Sequence, residues 1–83
     1  MRYFVYLLLS ADRKTPKKTY VGWTTDLDKR LKQHNEGAGA KSTRGRIWAL
    51  MYVECHDTRH DAMSREWHLK RDRVFRNRLK TFD

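Results

Sequence analysis

Residues 2–10 read Arg-Tyr-Phe-Val-Tyr-Leu-Leu-Leu-Ser, an apolar run that is followed by a polar stretch containing the only proline, Pro16. The run is short and rich in aromatic and aliphatic side chains, which predicts a buried strand. Side chains alternate between the two faces of a strand. One face therefore carries Phe4, Tyr6 and Leu8, and the other carries Tyr3, Val5, Leu7 and Leu9.

Two further strands are predicted downstream. The polar residues 11–18 predict a hairpin loop, and a second strand is expected at about Lys18–Trp23. A third strand is expected over Ile47–Cys55. Between them, residues 37–46 are rich in glycine and basic side chains, and we expect a flexible loop there.

The first helix is marked at both ends. Thr25-x-x-Asp28 has the form of a capping box, which predicts a helix start. Leu27 and Leu31 form its inward stripe. Residues 35–37 (Asn-Glu-Gly) end the helix, because Gly is the usual residue just past a helix C-terminus.

The C-terminal third of the chain is predicted to be helical. Thr58-x-x-Asp61 is a second capping box. The apolar residues of this part are Ala62, Met63, Trp67 and Leu69, then Val74, Phe75, Leu79 and Phe82 in a final basic stretch. The resulting order β-β-α-β-α-α predicts a single α/β (α+β) domain over residues 1–83 with a small central sheet.

The charge of the chain favours a polyanionic partner. Nineteen Lys and Arg against ten Asp and Glu give a formal net charge of +9 in 83 residues. Such a surplus attracts nucleic acid, because each phosphate that is neutralised releases a counterion. A basic surface kept for solubility, with a mobile loop, is the alternative. The candidate nucleic-acid contacts are Lys41, Ser42, Thr43, Arg44 and Arg46 in the glycine-rich loop, with Lys70 and Arg73 beyond it.

Composition also indicates the compartment. Cys55 is the only cysteine, so an internal disulfide is impossible and a reducing compartment, by default the cytoplasm, is expected. The apolar run over residues 4–9 is too short to span a bilayer, which needs about 20 residues. We therefore expect no membrane partner.

Tyr20-Val21-Gly22 is the first candidate for chemistry. A strand that ends in Gly lets the backbone bend sharply or lets another group approach closely, because Gly has no Cβ. Tyr20 would then lie near the end of the sheet, at the mouth of the following helix. Ordinary cross-strand packing of Tyr20 is the alternative.

Arg30 and His34 are spaced i, i+4 on the first predicted helix and therefore share a face. An arginine there could hold a phosphate through two parallel N–H donors, and a histidine could relay a proton near neutral pH. The alternative is an ordinary solvated face shared with Lys29 and Lys32.

Glu66 is the strongest single candidate for a functional residue. It is spaced from Ala62 and Met63 so that it borders the apolar face predicted for its helix, where a carboxylate must be paired, protonated or bound to metal. Lys70, at i+4, is an ordinary ion-pair partner. A cation is the better use, because Mg²⁺ accepts one carboxylate together with waters and substrate oxygens.

Taken in order, these residues resemble the GIY-YIG nuclease domain over nearly the whole chain, in particular its small stand-alone bacterial members. Residues 20–48 are also similar to the catalytic subunit of the structure-specific nuclease that resolves branched DNA. The resemblance implies a three-stranded, mainly antiparallel sheet flanked by helices. It rests on Tyr6 in Phe4-Val5-Tyr6, Tyr20-Val21-Gly22, Arg30, Leu31-x-x-His34-Asn35, Ser42-Thr43-Arg44-Gly45-Arg46-x-Trp48 and Glu66.

The resemblance also implies roles. Tyr6, or else Tyr20, would activate water; Arg30 would steady the scissile phosphate; and Glu66 would be the sole carboxylate ligand of one divalent cation, Mg²⁺ or Mn²⁺. His34 would act as a general base or accept the proton of Tyr6. Because an unperturbed tyrosine has a pKa near 10, we expect Arg30, His34 and a metal-bound water to favour the phenolate.

The sequence thus predicts a metal-dependent endonuclease acting on DNA, branched or single-stranded, or on a related nucleic acid. Two alternatives stay open: a non-catalytic nucleic-acid-binding module with the same fold, and a module whose basic surface docks on an acidic protein. A homodimer or a helper subunit that supplies specificity also stays open.

Overall fold

The computed structural model describes residues 1–81, so Phe82 lies outside the described part. The predicted order is confirmed, and each strand lies within one residue of its predicted position. The elements are β1 (Tyr3–Ser10), β2 (Thr19–Thr24), α1 (Leu27–Asn35), a one-turn 3₁₀ helix (Lys41–Thr43), β3 (Trp48–His56), α2 (Arg59–Arg71) and α3 (Arg73–Leu79).

The strands form one antiparallel sheet of order β2-β1-β3, as predicted for an α+β fold. β1 is the central strand, and its residue Tyr6 lies opposite Gly22 on β2 and Val53 on β3. The register between β1 and β3 shifts between Leu7 and Leu8. An irregularity of this kind bends the strand and increases its twist.

The two faces of β1 enter different parts of the core. Val5 and Leu7 are buried with side chains of β2, α2 and α3, whereas Tyr6 and Leu8 are buried with Trp48 on the face that α1 covers. The alternation predicted for these residues is therefore confirmed. Most of the buried apolar side chains are aliphatic, and Tyr6 and Trp48 are the large rings among them.

The start of α1 differs from the prediction. The N-cap is Asp26, whose carboxylate accepts a hydrogen bond from the Lys29 backbone N–H, whereas Thr25 is exposed. The Thr24 hydroxyl accepts from the backbone N–H of Asp26 in the tight turn that leaves β2, and Asp26 is extended, as an N-cap requires. The predicted end is confirmed, since Gly37 follows the last turn with a φ of +80°.

The segment between α1 and β3, for which a flexible loop is predicted, contains the 3₁₀ turn and is held by hydrogen bonds at several points. The side chain of Asn35 donates to the Trp48 carbonyl oxygen and accepts from the Trp48 N–H, and the Trp48 indole N–H donates to the Thr43 carbonyl. At the far end, the Arg46 guanidinium donates two hydrogen bonds to Asp12 in the hairpin loop.

α2 begins at the predicted cap, with the Thr58 hydroxyl accepting from the Asp61 N–H. Its inward stripe is Ala62 and Leu69, both fully buried. Met63 and Trp67 lie on the outer side, 46 % and 52 % exposed. The prediction that Met63 belongs to the apolar face bordering Glu66 is therefore wrong.

Within residues 1–81, the structure contains no helix that is both long enough and apolar enough to cross a membrane.

The two sides of α2 make a test of this packing. We expect Leu69→Ala to lower the free energy of unfolding by about 2–5 kcal/mol, because it leaves a cavity in a close-packed core. Met63→Ala is the matched control on the same helix and should change it by less than about 1 kcal/mol. Urea unfolding followed by circular dichroism measures both, and equal losses would contradict the assigned orientation of α2.

Candidate active site

The phenol of Tyr6 crosses directly over Gly22, its partner in the neighbouring strand. A Cβ added to Gly22 would lie 2.5 Å from the Tyr6 Oη and 2.8 Å from its Cζ. Such contacts are far inside van der Waals distance, so only glycine allows the phenol to occupy this position. The close approach predicted at Gly22 is the approach of Tyr6.

A buried histidine receives this phenol. The Oη of Tyr6 lies 2.8 Å from Nε2 of His34, whose side chain is fully buried. The Tyr20 ring packs against the same imidazole, with centroids 4.8 Å apart. Gly39 closes the other side, since a Cβ there would collide with the imidazole and lie 3.0 Å from the His34 Cα. His34 thus belongs to the site and not to a solvated face.

The hydrogen-bond network indicates which nitrogen of His34 carries the proton. The Thr43 hydroxyl donates to the Ala40 carbonyl oxygen at 2.8 Å and so uses its only hydrogen. At 2.9 Å it must therefore accept from Nδ1 of His34. In the neutral ring Nε2 is then the acceptor, and the O–H of Tyr6 donates to it.

Burial favours the neutral forms of both partners. It raises the pKa of Tyr6 to about 12; Arg30 opposes this shift, and the charges of Tyr20 and Glu66 add to it. Burial, with the positive charge of Arg30, lowers the pKa of His34 to about 4. Arg30 and His34 by themselves therefore do not produce the phenolate, because desolvation outweighs the attraction of Arg30.

Arg30 is half-buried at one end of a polar cleft of about 360 Å³. Its Nη1 donates to the Gln33 side-chain oxygen at 3.0 Å, and its charge acts on both Tyr6 and His34. Lys29 and Arg30 both line this cleft, and their positive charges favour an anionic ligand. The cleft lies at the start of α1 and is lined by Thr24, Thr25, Asp26, Lys29, Arg30 and Gln33.

Glu66 approaches from α2, and its side chain is 21 % exposed. Its charge is one cause of the raised Tyr6 pKa, so the carboxylate lies within electrostatic range of the phenol. Lys70 Nζ is 3.5 Å from Glu66 Oε1, the ordinary helix pair that the sequence also allowed. Lys70 is itself half-exposed. It can therefore move into solvent and leave the carboxylate to another cation.

The donor set limits the metal that could bind. Within residues 1–81, no three His, Cys, Asp or Glu side chains lie close enough together to hold an ion. One carboxylate does not make a zinc or calcium site, but it fits Mg²⁺, which keeps several waters and takes further oxygens from a phosphate. Glu66 therefore fits a divalent cation that the substrate helps to hold.

The predicted nucleic-acid contacts separate into two groups. Thr43 is buried beneath His34. Arg46 is paired with Asp12, and its guanidinium holds the pKa of the Asp12 carboxyl well below its usual range. Both side chains are thus already engaged within the protein, contrary to their predicted role on a free loop. The others are exposed: Lys41, Ser42, Arg44, Lys70 and Arg73.

Two parts of the site were not predicted from the sequence. Thr43 was assigned to phosphate contacts, although it positions His34, and Gly39 had no specific role. The order Ser42-Thr43-Arg44-Gly45-Arg46-x-Trp48 contains the signal for Thr43. It places a large ring a few residues downstream, and the Trp48 indole holds the backbone of Thr43 in place.

The structure brings Tyr6 and Tyr20 on adjacent strands close to Arg30 and His34 of α1, and Glu66 approaches from α2. The chain belongs to the GIY-YIG family, since the family model of the GIY-YIG catalytic domain matches residues 2–80. Members of this nuclease family generally use divalent metal ions, and a nuclease domain implies a nucleic-acid substrate.

The chain is also similar to UPF0213 proteins. It is 44 % identical over 69 residues to one from Haloquadratum walsbyi, covering 82 % of this chain and 73 % of that protein. It is 42 % identical over 79 residues to one from Lactococcus lactis, covering 94 % and 72 %. The solution NMR structure of the UPF0213 protein BH0048 from Bacillus halodurans is 36 % identical, with a TM-score of 0.53, covering 95 % and 82 %.

The contact between Tyr6 and Gly22 can be tested by a double-mutant cycle. Gly22→Ala should lower the free energy of unfolding by about 1–3 kcal/mol, because the new methyl group displaces a packed phenol. In a Tyr6→Ala background the methyl group has space, so the same change should cost much less. Urea unfolding of the four proteins measures the coupling, and equal costs in both backgrounds would disprove the contact.

His34 predicts a pH dependence of stability. The pKa of His34 is about 4 in the folded protein, whereas the ordinary value, which applies to the unfolded chain, is 6.5. Between these two values the unfolded chain binds a proton at His34 and the folded protein does not. The stabilising contribution is complete above about pH 6.5 and falls as the pH drops through that window toward 4. Urea unfolding as a function of pH measures this fall, and NMR titration of the imidazole measures the pKa.

Variants assign this pH dependence to one residue. His34→Gln should remove the fall between pH 6.5 and 4, whereas His60→Gln, at an exposed histidine on α2, should keep it. A His34 imidazole that titrates near its ordinary pKa would contradict the buried, neutral assignment.

Proposed function

We propose that the protein is a metal-dependent endonuclease that hydrolyses phosphodiester bonds in DNA, branched or single-stranded. The observation that carries this proposal is the set of side chains around the Tyr6 phenol. Tyr6 donates its proton to an oriented histidine, while a guanidinium and a carboxylate from separate helices act on the same oxygen. A module that only binds phosphates has no need of this carboxylate.

Tyr6 and His34 form a proton relay in this proposal. The Tyr6 oxygen takes a proton from the attacking water while its own proton passes to Nε2 of His34 over the existing 2.8 Å bond. The water oxygen then bonds to phosphorus, and the bond to the leaving oxygen breaks. Thr43 supports the step by accepting from Nδ1, which keeps Nε2 free to receive the proton.

Substrate binding would prepare this relay. In the free protein, Arg30 helps to lower the pKa of His34 and so opposes its protonation. A phosphate held by Arg30 offsets that positive charge and makes the imidazolium less costly. Proton transfer from water through Tyr6 to His34 is thus unfavourable when no phosphate is bound, which is a useful property in a hydrolase.

Glu66 would hold the divalent cation, Mg²⁺ or Mn²⁺, with Lys70 moved aside. When bound, the cation supplies Lewis-acid polarisation of the phosphate and stabilises charge on the leaving oxygen. Glu66 and Arg30 approach the phenol from α2 and α1, respectively, and would bracket the phosphate. The exposed cations Lys41, Arg44 and Arg73 would contact the backbone of the nucleic acid.

Cleavage assays test the proposal. We expect labelled single-stranded, duplex, flap or junction DNA to be cut with Mg²⁺ or Mn²⁺ and left intact with EDTA. Tyr6→Phe cannot relay a proton and Glu66→Gln cannot hold the cation, so each should cut at least about 100-fold more slowly. Glu36→Gln, at an exposed glutamate at the end of α1, is the matched control and should cut as the unmodified protein does.

A non-catalytic nucleic-acid-binding module is the second candidate. It is favoured by one observation, the Tyr6 pKa of about 12, because a neutral tyrosine alone is not a base at neutral pH. This candidate predicts tight, salt-dependent binding to all these substrates and no metal-dependent cutting by the unmodified chain. That result would overturn the proposed activity.

A further inference from the structure

The outer face of α2 carries a groove that the proposed reaction does not use. The groove has a volume of about 320 Å³, and it is lined by His60, Met63, Ser64, Trp67 and His68. Trp67 is 52 % exposed, although the indole is among the most costly side chains to leave in water. An exposed indole next to basic side chains is the kind of surface on which nucleic-acid bases stack.

The walls of this groove are ordered in the free protein. The Arg71 guanidinium stacks 3.7 Å from the indole centroid of Trp67, and its Nη1 donates to the Trp67 carbonyl oxygen at 2.9 Å. On the other side, Nδ1 of His68 donates to the Ser64 carbonyl oxygen at 2.8 Å. The His68 and Trp67 rings meet edge to face, with centroids 5.0 Å apart. Stacking of a ligand on these side chains therefore costs the protein little side-chain entropy.

Charge narrows the ligand to a polyanion. Among the described residues, those that line the groove include no carboxylate, and Arg71 and Lys70 stand at its C-terminal end. Asp61 is in the first turn of α2, at the opposite end. An indole for a planar ring beside cations for phosphates is the combination that binds unpaired nucleotides, because every base has a π-face.

The groove lies on the helix that also carries Glu66. Trp67 follows Glu66 directly, and the two side chains leave α2 about 100° apart around its axis. Lys70 is one turn further along and is 3.5 Å from Glu66. A strand that leaves the cleavage site therefore meets Lys70 before it reaches Trp67.

We infer that this groove binds an unpaired base of the substrate, stacked on Trp67, so that single-stranded nucleic acid next to the cut is preferred over continuous duplex. The bases of a duplex are stacked on each other and cannot enter such a groove. The inference rests on the proposed function in one respect, since it names the form of the substrate for the same site.

Binding without cleavage provides the test. Fluorescence anisotropy titrations use a labelled oligothymidylate and a matched duplex, with EDTA present so that nothing is cut. Trp67→Ala should weaken single-strand binding roughly 5- to 100-fold, the range for the loss of one stacked base. Its effect on the duplex should stay below about twofold. Trp67→Phe keeps a ring and should retain most of the affinity.

Val74→Ala is the matched control, because Val74 is an apolar residue on α3 that is 66 % exposed. It should leave both affinities unchanged. Equal losses of single-strand and duplex binding in Trp67→Ala, or no loss in either, would overturn the inference. Circular dichroism and urea unfolding establish that each variant is folded.

Failure of this inference and failure of the proposed function are distinguishable. If the unmodified protein cuts DNA, and the Trp67→Ala variant binds single strands as tightly as the unmodified protein, only the groove assignment is wrong. If nothing is cut under any condition and Trp67→Ala loses single-strand binding, the groove assignment is correct and the proposed activity is wrong.

Discussion

The position of one phenol sets conditions for the rest of this small domain. Tyr6 can point across the sheet only because its cross-strand neighbour is Gly22, and it reaches His34 only because α1 lies on the same face. The register of β1 and β2, the placement of α1 and the fixed segment around Thr43 all meet at this hydrogen bond. A change of one residue in the register would turn Tyr6 to the opposite face.

Much of the fold follows from local rules that a single sequence displays. Alternation along β1, the glycine after α1 and the Thr58 cap of α2 each depend on residues a few positions apart, and each was predicted correctly. The orientation of α2 was not, because its apolar residues form two stripes about 130° apart. Ala62 and Leu69 form one stripe, and Met63 and Trp67 form the other. Only the packing against the sheet decides which stripe is buried.

The candidate site was less accessible to such reasoning. The residue types and their order point to Tyr6, Arg30, His34 and Glu66 through resemblance, but their convergence is a property of the folded chain. The burial that raises the Tyr6 pKa was not predicted, because opposite charges can be counted in a sequence and desolvation cannot. Thr43 was misjudged for a related reason, since a threonine in a basic, glycine-rich segment has the composition of a surface loop whether or not it is buried.

The contact between Asn35 and Trp48 has a consequence for the solubility of the fold. β3 is an edge strand, and the Asn35 amide offers Trp48 the donor and acceptor that a peptide group of another strand would offer. The first residue of this edge is thus occupied by an intramolecular substitute for a neighbouring chain. A second molecule that extended the sheet in register would have to displace this contact, which disfavours edge-to-edge association at that end.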